Sequence, residues 1–181
     1  PNSGMDTSAI LEISLPEARS HLNNLSSEEK LAWAYDQFGT KFVLTTSFGI
    51  QSAVLLHMVH VLKVGSKIPI FWIDTGYLPP ETYCYAEELT KKLALDIHVI
   101  QSPISPARME ALYGKLWETK SLEDIEKYHY MRKVQPLERA LNENKVQCWA
   151  SGVRGNQTDH RRSMTVLDPM RERLSLRPLL E

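Results

Sequence analysis

The stretch Phe42-Val43-Leu44-Thr45-Thr46-Ser47-Phe48-Gly49-Ile50-Gln51-Ser52 decides how this chain folds. An apolar, β-branched run stops in a cluster of small hydroxyl residues and one glycine. Ala53, Val54, Leu56, Met58 and Val59 then recur at the spacing of an apolar helix face. The reading is strand, tight turn, helix. Such a junction aims backbone N–H groups and the positive end of a helix dipole into one concavity, which suits an anion. Hydroxyls at Thr45, Thr46, Ser47 and Ser52 add donors that need no lysine. Neither the Walker Lys-Ser/Thr pair nor G-x-G-x-x-G is present in this stretch. The same letters also suit an ordinary βα turn, because such turns favour Ser and Gly.

Working outward, Ser26-Ser27-Glu28-Glu29 is a helix-start signature, and Gly39 stops that helix after Phe38. A shorter helix is expected before it, over residues 14–24. The central strand is expected over residues 41–45 and its helix over 51–62. The continuous apolar run 68–73 reads as a strand buried on both faces of a parallel sheet. It ends in the polar turn Asp74-Thr75-Gly76-Tyr77. Pro79-Pro80 opens a helix to Leu93, with Glu87–Lys91 and Glu88–Lys92 at i,i+4. A third strand is expected over 97–100 and short helices over 107–113 and 122–128. Pro136 should open a helix through Leu141. Strands should follow at 147–151, 164–167 and 173–176. This rhythm predicts an α/β protein with a doubly wound, mostly parallel sheet and right-handed crossovers.

Composition narrows the function. The 181 residues carry a formal net charge of -1, without the basic excess of a general nucleic-acid binder. No apolar run approaches a membrane span, and no secretory pattern is seen. Two separated cysteines, Cys84 and Cys148, point to neither a disulfide framework nor a metal site, so a cytoplasmic protein is expected. Residues 1–4 read as a tag remnant ahead of an initiator Met5, residues 5–25 as an N-terminal helical segment, and 26–181 as the main domain. Because the chain stops at Leu179-Leu180-Glu181, just past an apolar strand, a truncated protein is expected.

Open parallel sheets bind ligands beyond the carboxyl ends of their strands. Three turns fall there and are more polar than turning requires: 46–52, 74–77 and 152–162. Arg132, Lys133, Arg154, Arg161 and Arg162 share that rim. Each alone could be a solvated surface charge. Together they suit a polyanionic nucleotide.

At this point the chain resembles the 3'-phosphoadenylyl-sulfate (PAPS) reductases of the iron–sulfur-free type. The likeness rests on S-F-G-I-Q-S at 47–52, D-T-G-Y-L-x-P-E-T-Y at 74–83 and Y-G-K-L-W-E at 113–118. R-K-V-x-P-L-x-R-A-L at 132–141 and G-x-R-x-x-Q-T-x-x-R at 152–161 complete it. It implies the adenine nucleotide α-hydrolase-like fold, Rossmann-like, with a modified pyrophosphate-binding PP-loop. It further implies that Thr46, Ser47, Phe48, Gly49, Gln51 and Ser52 line the phosphate and ribose side of the nucleotide. Asp74, Thr75, Gly76 and Tyr77 would flank the adenosine. Lys133, Arg154, Gln157, Arg161 and Arg162 would hold the phosphosulfate. The implied reaction reduces PAPS to sulfite and adenosine 3',5'-bisphosphate in sulfate assimilation, through a cysteine S-sulfo intermediate resolved by thioredoxin or glutaredoxin. No bound cofactor and no metal are implied, and a homodimer is.

Two departures stand out. The family's nucleophilic cysteine lies in a Glu-Cys-Gly-Leu-His tail that this sequence lacks, so no catalytic residue is assigned within the chain. Gly155 also stands where a second arginine often follows Arg154, with Arg162 as a substitute. The related iron–sulfur adenylyl-sulfate reductases carry a Cys-Cys pair where this chain has Tyr128 and His129. Alternatives are that enzyme, a PP-loop ATP-dependent adenylyl transferase, and a non-catalytic nucleotide-binding module.

Overall fold

A computed structural model describes residues 10–153 and 164–180. Helices α1 (Leu15–Asn23) and α2 (Ser27–Phe38) precede strand β1 (Phe42–Thr46). Then follow α3 (Ile50–Val61), β2 (Ile70–Ile73), α4 (Pro80–Leu93), β3 (Ile97–Ile100), α5 (Pro106–Tyr113) and α6 (Leu122–His129). A π-helical turn (Tyr130–Val134) leads into α7 (Gln135–Glu143), and β4 (Cys148–Ala150), β5 (Leu167–Met170) and β6 (Arg173–Leu176) complete the described elements.

The sheet runs β3-β2-β1-β4-β6-β5, with β5 antiparallel to β6 and the other pairings parallel. From β1 the chain builds outward through β2 and β3, then returns to place β4 on the other side of β1. The strand order therefore reverses between β1 and β4, and the crevice beyond their carboxyl ends is where such sheets take ligands. Side chains alternate across the sheet. Phe42, Leu44, Ile70, Trp72, Cys148 and Ala150 join residues of α1, α2, α3 and α4 in the larger core. Val43 and Phe71 face the other way, against Ala140 and Leu141 of α7.

Local chemistry explains the boundaries. Ser26 and Glu29 form a capping box: the serine oxygen accepts the Glu29 N–H at 3.1 Å and the carboxylate accepts the Ser26 N–H at 3.0 Å. We expect Ser26→Ala to lower stability by about 1 kcal/mol, read from urea denaturation. Gly65 is required by contact, because a Cβ there would lie 1.7 Å from the Val59 carbonyl oxygen.

Three expectations are corrected. The central strand is Phe42–Thr46, one residue later than 41–45, because Lys41 closes a short 3-10 turn (Gly39–Lys41). Pro136 stands in the first turn of α7, as expected, but no loop separates that helix from α6. Residues 122–143 form one continuous helical run in which the π turn widens the backbone, and the Gln135 N–H reaches Tyr130 O, five residues back. A widened turn relieves the clash between the proline ring and the preceding turn that would otherwise end a helix. The strand expected at 164–167 is instead Leu167–Met170. Asp168-Pro169 looks like a turn in sequence, but β5 is the sheet's edge, where a proline's missing N–H costs no ladder bond. The turn is Arg171-Glu172, at φ 51° and 67°, the left-handed pair that a tight hairpin needs. No Asn-Gly or Asp-Gly marks it.

Candidate functional site

At the end of β1 the hydroxyls are arranged one by one. Thr45 Oγ1 donates to the Ala150 carbonyl at 3.3 Å, tying β1 to β4 at the switch point. Thr46 Oγ1 accepts the Phe48 N–H at 3.0 Å. Phe48 then turns into the left-handed region at φ 58°. Its ring, 4% exposed, drops into the core against Trp72, 4.9 Å between centroids. Sequence reading placed Phe48 toward the nucleotide; its side chain instead anchors the loop from beneath.

Helix α3 starts immediately afterwards with Gly49 at its N-cap, which supplies no side-chain cap. In contrast, Ser14, Ser26, Ser105 and Ser121 cap α1, α2, α5 and α6. The uncapped end of α3 leaves donor N–H groups and positive dipole open to an incoming anion. The Ser47 N–H makes only a loose 3.5 Å contact to Ser52 Oγ. Thr46 and Ser52 accept through oxygen, and each hydroxyl still has a proton to donate, which no other described residue receives.

This loop forms one wall of a cleft of about 610 Å³, a volume suited to a nucleotide. Thr45, Thr46, Ser47, Gly49 and Ser52 line that wall. Lys133 and Val134 enter from the π turn, Leu137 and Leu141 from α7, and Ile73 from the end of β2. Trp149, Ser151, Gly152 and Val153 complete the β4 side. Hydroxyls and a cation therefore share a cleft with apolar surface broad enough for a base.

Asp74, Thr75, Gly76 and Tyr77 are not among the lining residues. The Asp74 carboxylate accepts from Gly76 N–H (2.8 Å), the Tyr83 hydroxyl (2.7 Å) and Gln101 Nε2 (3.0 Å). Tyr77 donates to Glu110 at 3.0 Å and packs at a tilt against Trp117 and Tyr128. Burial first, and then the Glu110 carboxylate, push its phenol up to about 12, so it stays protonated near neutrality. The two neighbouring cations also part company. Arg132 is buried in structural hydrogen bonds, whereas Lys133 is exposed and lines the cleft. The side chain of Gln51, and Arg154, Gln157, Arg161 and Arg162, lie outside the described residues; Gly152 and Val153, just before Arg154 in sequence, line the cleft.

Sequence reading missed a charged group that lines the same cleft. Arg171 and Arg173, brought there by the hairpin, both bond Glu138 on α7, at 3.2 and 2.8 Å. Burial alone would raise the Glu138 carboxyl, but the two guanidiniums outweigh it and hold it below the usual range. The local sequence carries no signal for this group, since Glu138 and the two arginines meet only through tertiary pairing. Cys148 is wholly buried, and burial pushes its thiol far above the ordinary range, as befits a small core residue. Cys84 is exposed on α4 and is not among the lining residues.

A strand–loop–helix with an open helix N-terminus, at the switch point of a parallel sheet, defines a doubly wound α/β protein of the kind that takes ligands beyond the carboxyl ends of its strands. The phosphoadenosine phosphosulfate reductase domain matches residues 41–181. The phosphoadenosine 5'-phosphosulfate reductase of Synechococcus sp. is 52% identical over 167 residues, covering 92% of this chain and 71% of that protein. That of Salmonella choleraesuis is 44% identical over 169 residues, covering 93% of this chain and 68% of its own length. The chain belongs to the phosphoadenosine phosphosulfate reductase family. In fold it is similar to the PAPS reductase of Candida auris, solved as a phosphate complex, at TM-score 0.77 and 24% identity over 93% of this chain and 81% of that one. The FMN adenylyltransferase of Candida glabrata shares the fold more distantly, at TM-score 0.54 and 14% identity over 97% of this chain and 57% of that one.

Proposed function

We propose that this chain binds PAPS in the cleft between β1 and β4 and serves its reduction to sulfite and adenosine 3',5'-bisphosphate. The observation that carries the reading is the uncapped N-terminus of α3 and Lys133 lining one cleft, in a chain of this family. The hydroxyl loop and α3 hold phosphate oxygens. The apolar stretch formed by Ile73, Leu137 and Trp149 receives the base. Lys133 faces the phosphosulfate, and the resemblance in sequence assigns Arg154, Gln157, Arg161 and Arg162 to the same group. Cations there neutralise charge building on the leaving phosphate and ease the approach of a thiolate.

In the chemistry we propose, a cysteine thiolate attacks the sulfonyl sulfur and the S–O bond to phosphate breaks. Adenosine 3',5'-bisphosphate leaves, and the enzyme holds an S-sulfocysteine. A dithiol of thioredoxin or glutaredoxin then displaces sulfite and is left as a disulfide. Since Cys148 is buried and Cys84 does not line the cleft, the nucleophile in this reading is a cysteine outside these 181 residues. We place the reaction in the cytoplasm, where dithiols are kept reduced, and in a homodimer. No helix among the described residues is long and apolar enough to cross a membrane.

Titration calorimetry tests the reading. We expect PAPS to bind at least roughly tenfold more tightly than adenylyl sulfate, because donors aimed at the 3'-phosphate are left unpaired by the smaller ligand. The gap should narrow in high salt. Equal affinities would overturn the substrate assignment, and tighter binding of ATP with Mg²⁺ would favour an adenylyl transferase. These 181 residues should bind adenosine 3',5'-bisphosphate and release no sulfite with thioredoxin.

A further inference from the structure

We propose that Arg132 is the positioning residue for Lys133, setting how firmly the cleft holds the phosphosulfate; the inference rests on the PAPS reading above. Arg132 sits in the π turn and is 2% exposed, the largest fully buried side chain among the described residues. Its Nε donates to the Thr75 carbonyl at 2.8 Å and its Nη1 to the Ile104 carbonyl at 2.6 Å. The guanidinium also lies 5.7 Å from the centre of the Tyr77 ring, within cation–π range. Among the described residues no carboxylate lies within 4.0 Å of it. One buried cation thus joins the turn after β2, the segment entering α5, and the turn that carries Lys133.

The surroundings are shaped for this fork. Gly76, at φ 81°, lies so close that a Cβ would come 3.2 Å from Arg132 Nη2 and 2.6 Å from Pro106 Cγ. A desolvated guanidinium with no ion-pair partner among the described residues is costly, and carbonyl oxygens and a ring face offset that cost only where geometry is held. What the arrangement achieves is placement. A π turn shifts every following side chain around the helix, so its anchoring decides whether residue 133 faces the cleft or solvent. Lysine cannot replace this arginine, since a single ammonium lacks the planar fork that spans two carbonyls.

The test is a double-mutant cycle with PAPS as titrant, combined with hydrogen exchange of the nucleotide-free protein. Arg132→Lys should weaken PAPS by about tenfold. In a Lys133→Ala background it should add little further loss, since the two residues act as one unit. Without nucleotide, the amides of residues 130–134 should exchange faster than in the wild type while those of β1 do not change. If Arg132→Lys does not fold, Arg132→Gln, which removes the buried charge but keeps a donor, is read in the same way. Unchanged PAPS affinity, additive losses, or faster exchange spread equally into β1 would each overturn the proposal. Failure of the wild type to bind PAPS would instead sink the substrate reading, while the exchange measurement would still decide whether Arg132 holds the turn.

Discussion

Replacing Lys133 with alanine should weaken PAPS binding by roughly ten- to a hundredfold, and weaken adenosine 3',5'-bisphosphate binding less. The magnitude follows from a charge-assisted hydrogen bond, worth about 1.5–3 kcal/mol. The asymmetry follows from position. Lys133 enters the cleft from the π turn, while the hydroxyls and the α3 N-terminus form a separate wall. A ligand lacking the sulfonyl group keeps its contacts with that wall and loses only what the lysine offers. The difference should shrink as salt screens an exposed ammonium. Calorimetry with both ligands in one buffer measures it, and equal losses would move Lys133 to another part of the nucleotide.

Asp168→Asn should cost about 3 kcal/mol of folding stability, the lower end of the penalty for stripping one partner from a buried charge pair, because Arg177 is buried while the Asp168 side chain is 24% exposed. The Asp168 carboxylate is a junction. It accepts from Arg19 of α1 at 2.9 Å, from Arg177 just past β6 at 2.5 Å, and from the Thr165 N–H and hydroxyl at 2.8 Å each. The Arg177 side chain is only 4% exposed, so an asparagine leaves that cation with neutral acceptors alone, the Thr165 carbonyl at 2.8 Å among them. Acid should reproduce part of the effect. Burial would raise the Asp168 carboxyl, but hydrogen bonds from Thr165 and the charge of Arg177 lower it below its ordinary value overall. A group depressed in the folded state contributes its full stabilisation above the unfolded carboxyl range. That contribution is lost as pH falls through the lowered folded value. Glu138, lowered against its own burial by Arg173 and Arg171, acts in the same direction. Urea denaturation between neutral pH and the lower end of the carboxyl range should show a steep loss in the wild type and a shallower one in Asp168→Asn. A loss under about 1 kcal/mol at neutral pH would mean that Arg177 finds relief elsewhere, as exposed pairs often do.

What the sequence determined by itself was local. The strand–loop–helix around Thr46, the capping box of α2, the prolines opening α4 and the apolar run of β2 each act within a few residues, through hydrogen bonds and dihedral preferences that need no partner. The alternation of strands and helices then sufficed for a doubly wound sheet, and the ordered motifs for the family. Tertiary structure alone decided which side chain faces what. Arg132 and Lys133 are neighbours in sequence and of one charge type, yet one is buried on carbonyls and the other lines the cleft. That choice depends on the phase of a π turn, which no pattern of letters marked. Phe48 reads as part of a binding loop, but a left-handed backbone sends its ring into the core. Arg171, Arg173 and Glu138 gather only because an edge strand containing Pro169 folds back as a hairpin against α7. Local preferences are set by a residue's own neighbours along the chain, whereas the environment of a side chain is set by surfaces that meet only once the sheet has closed its order.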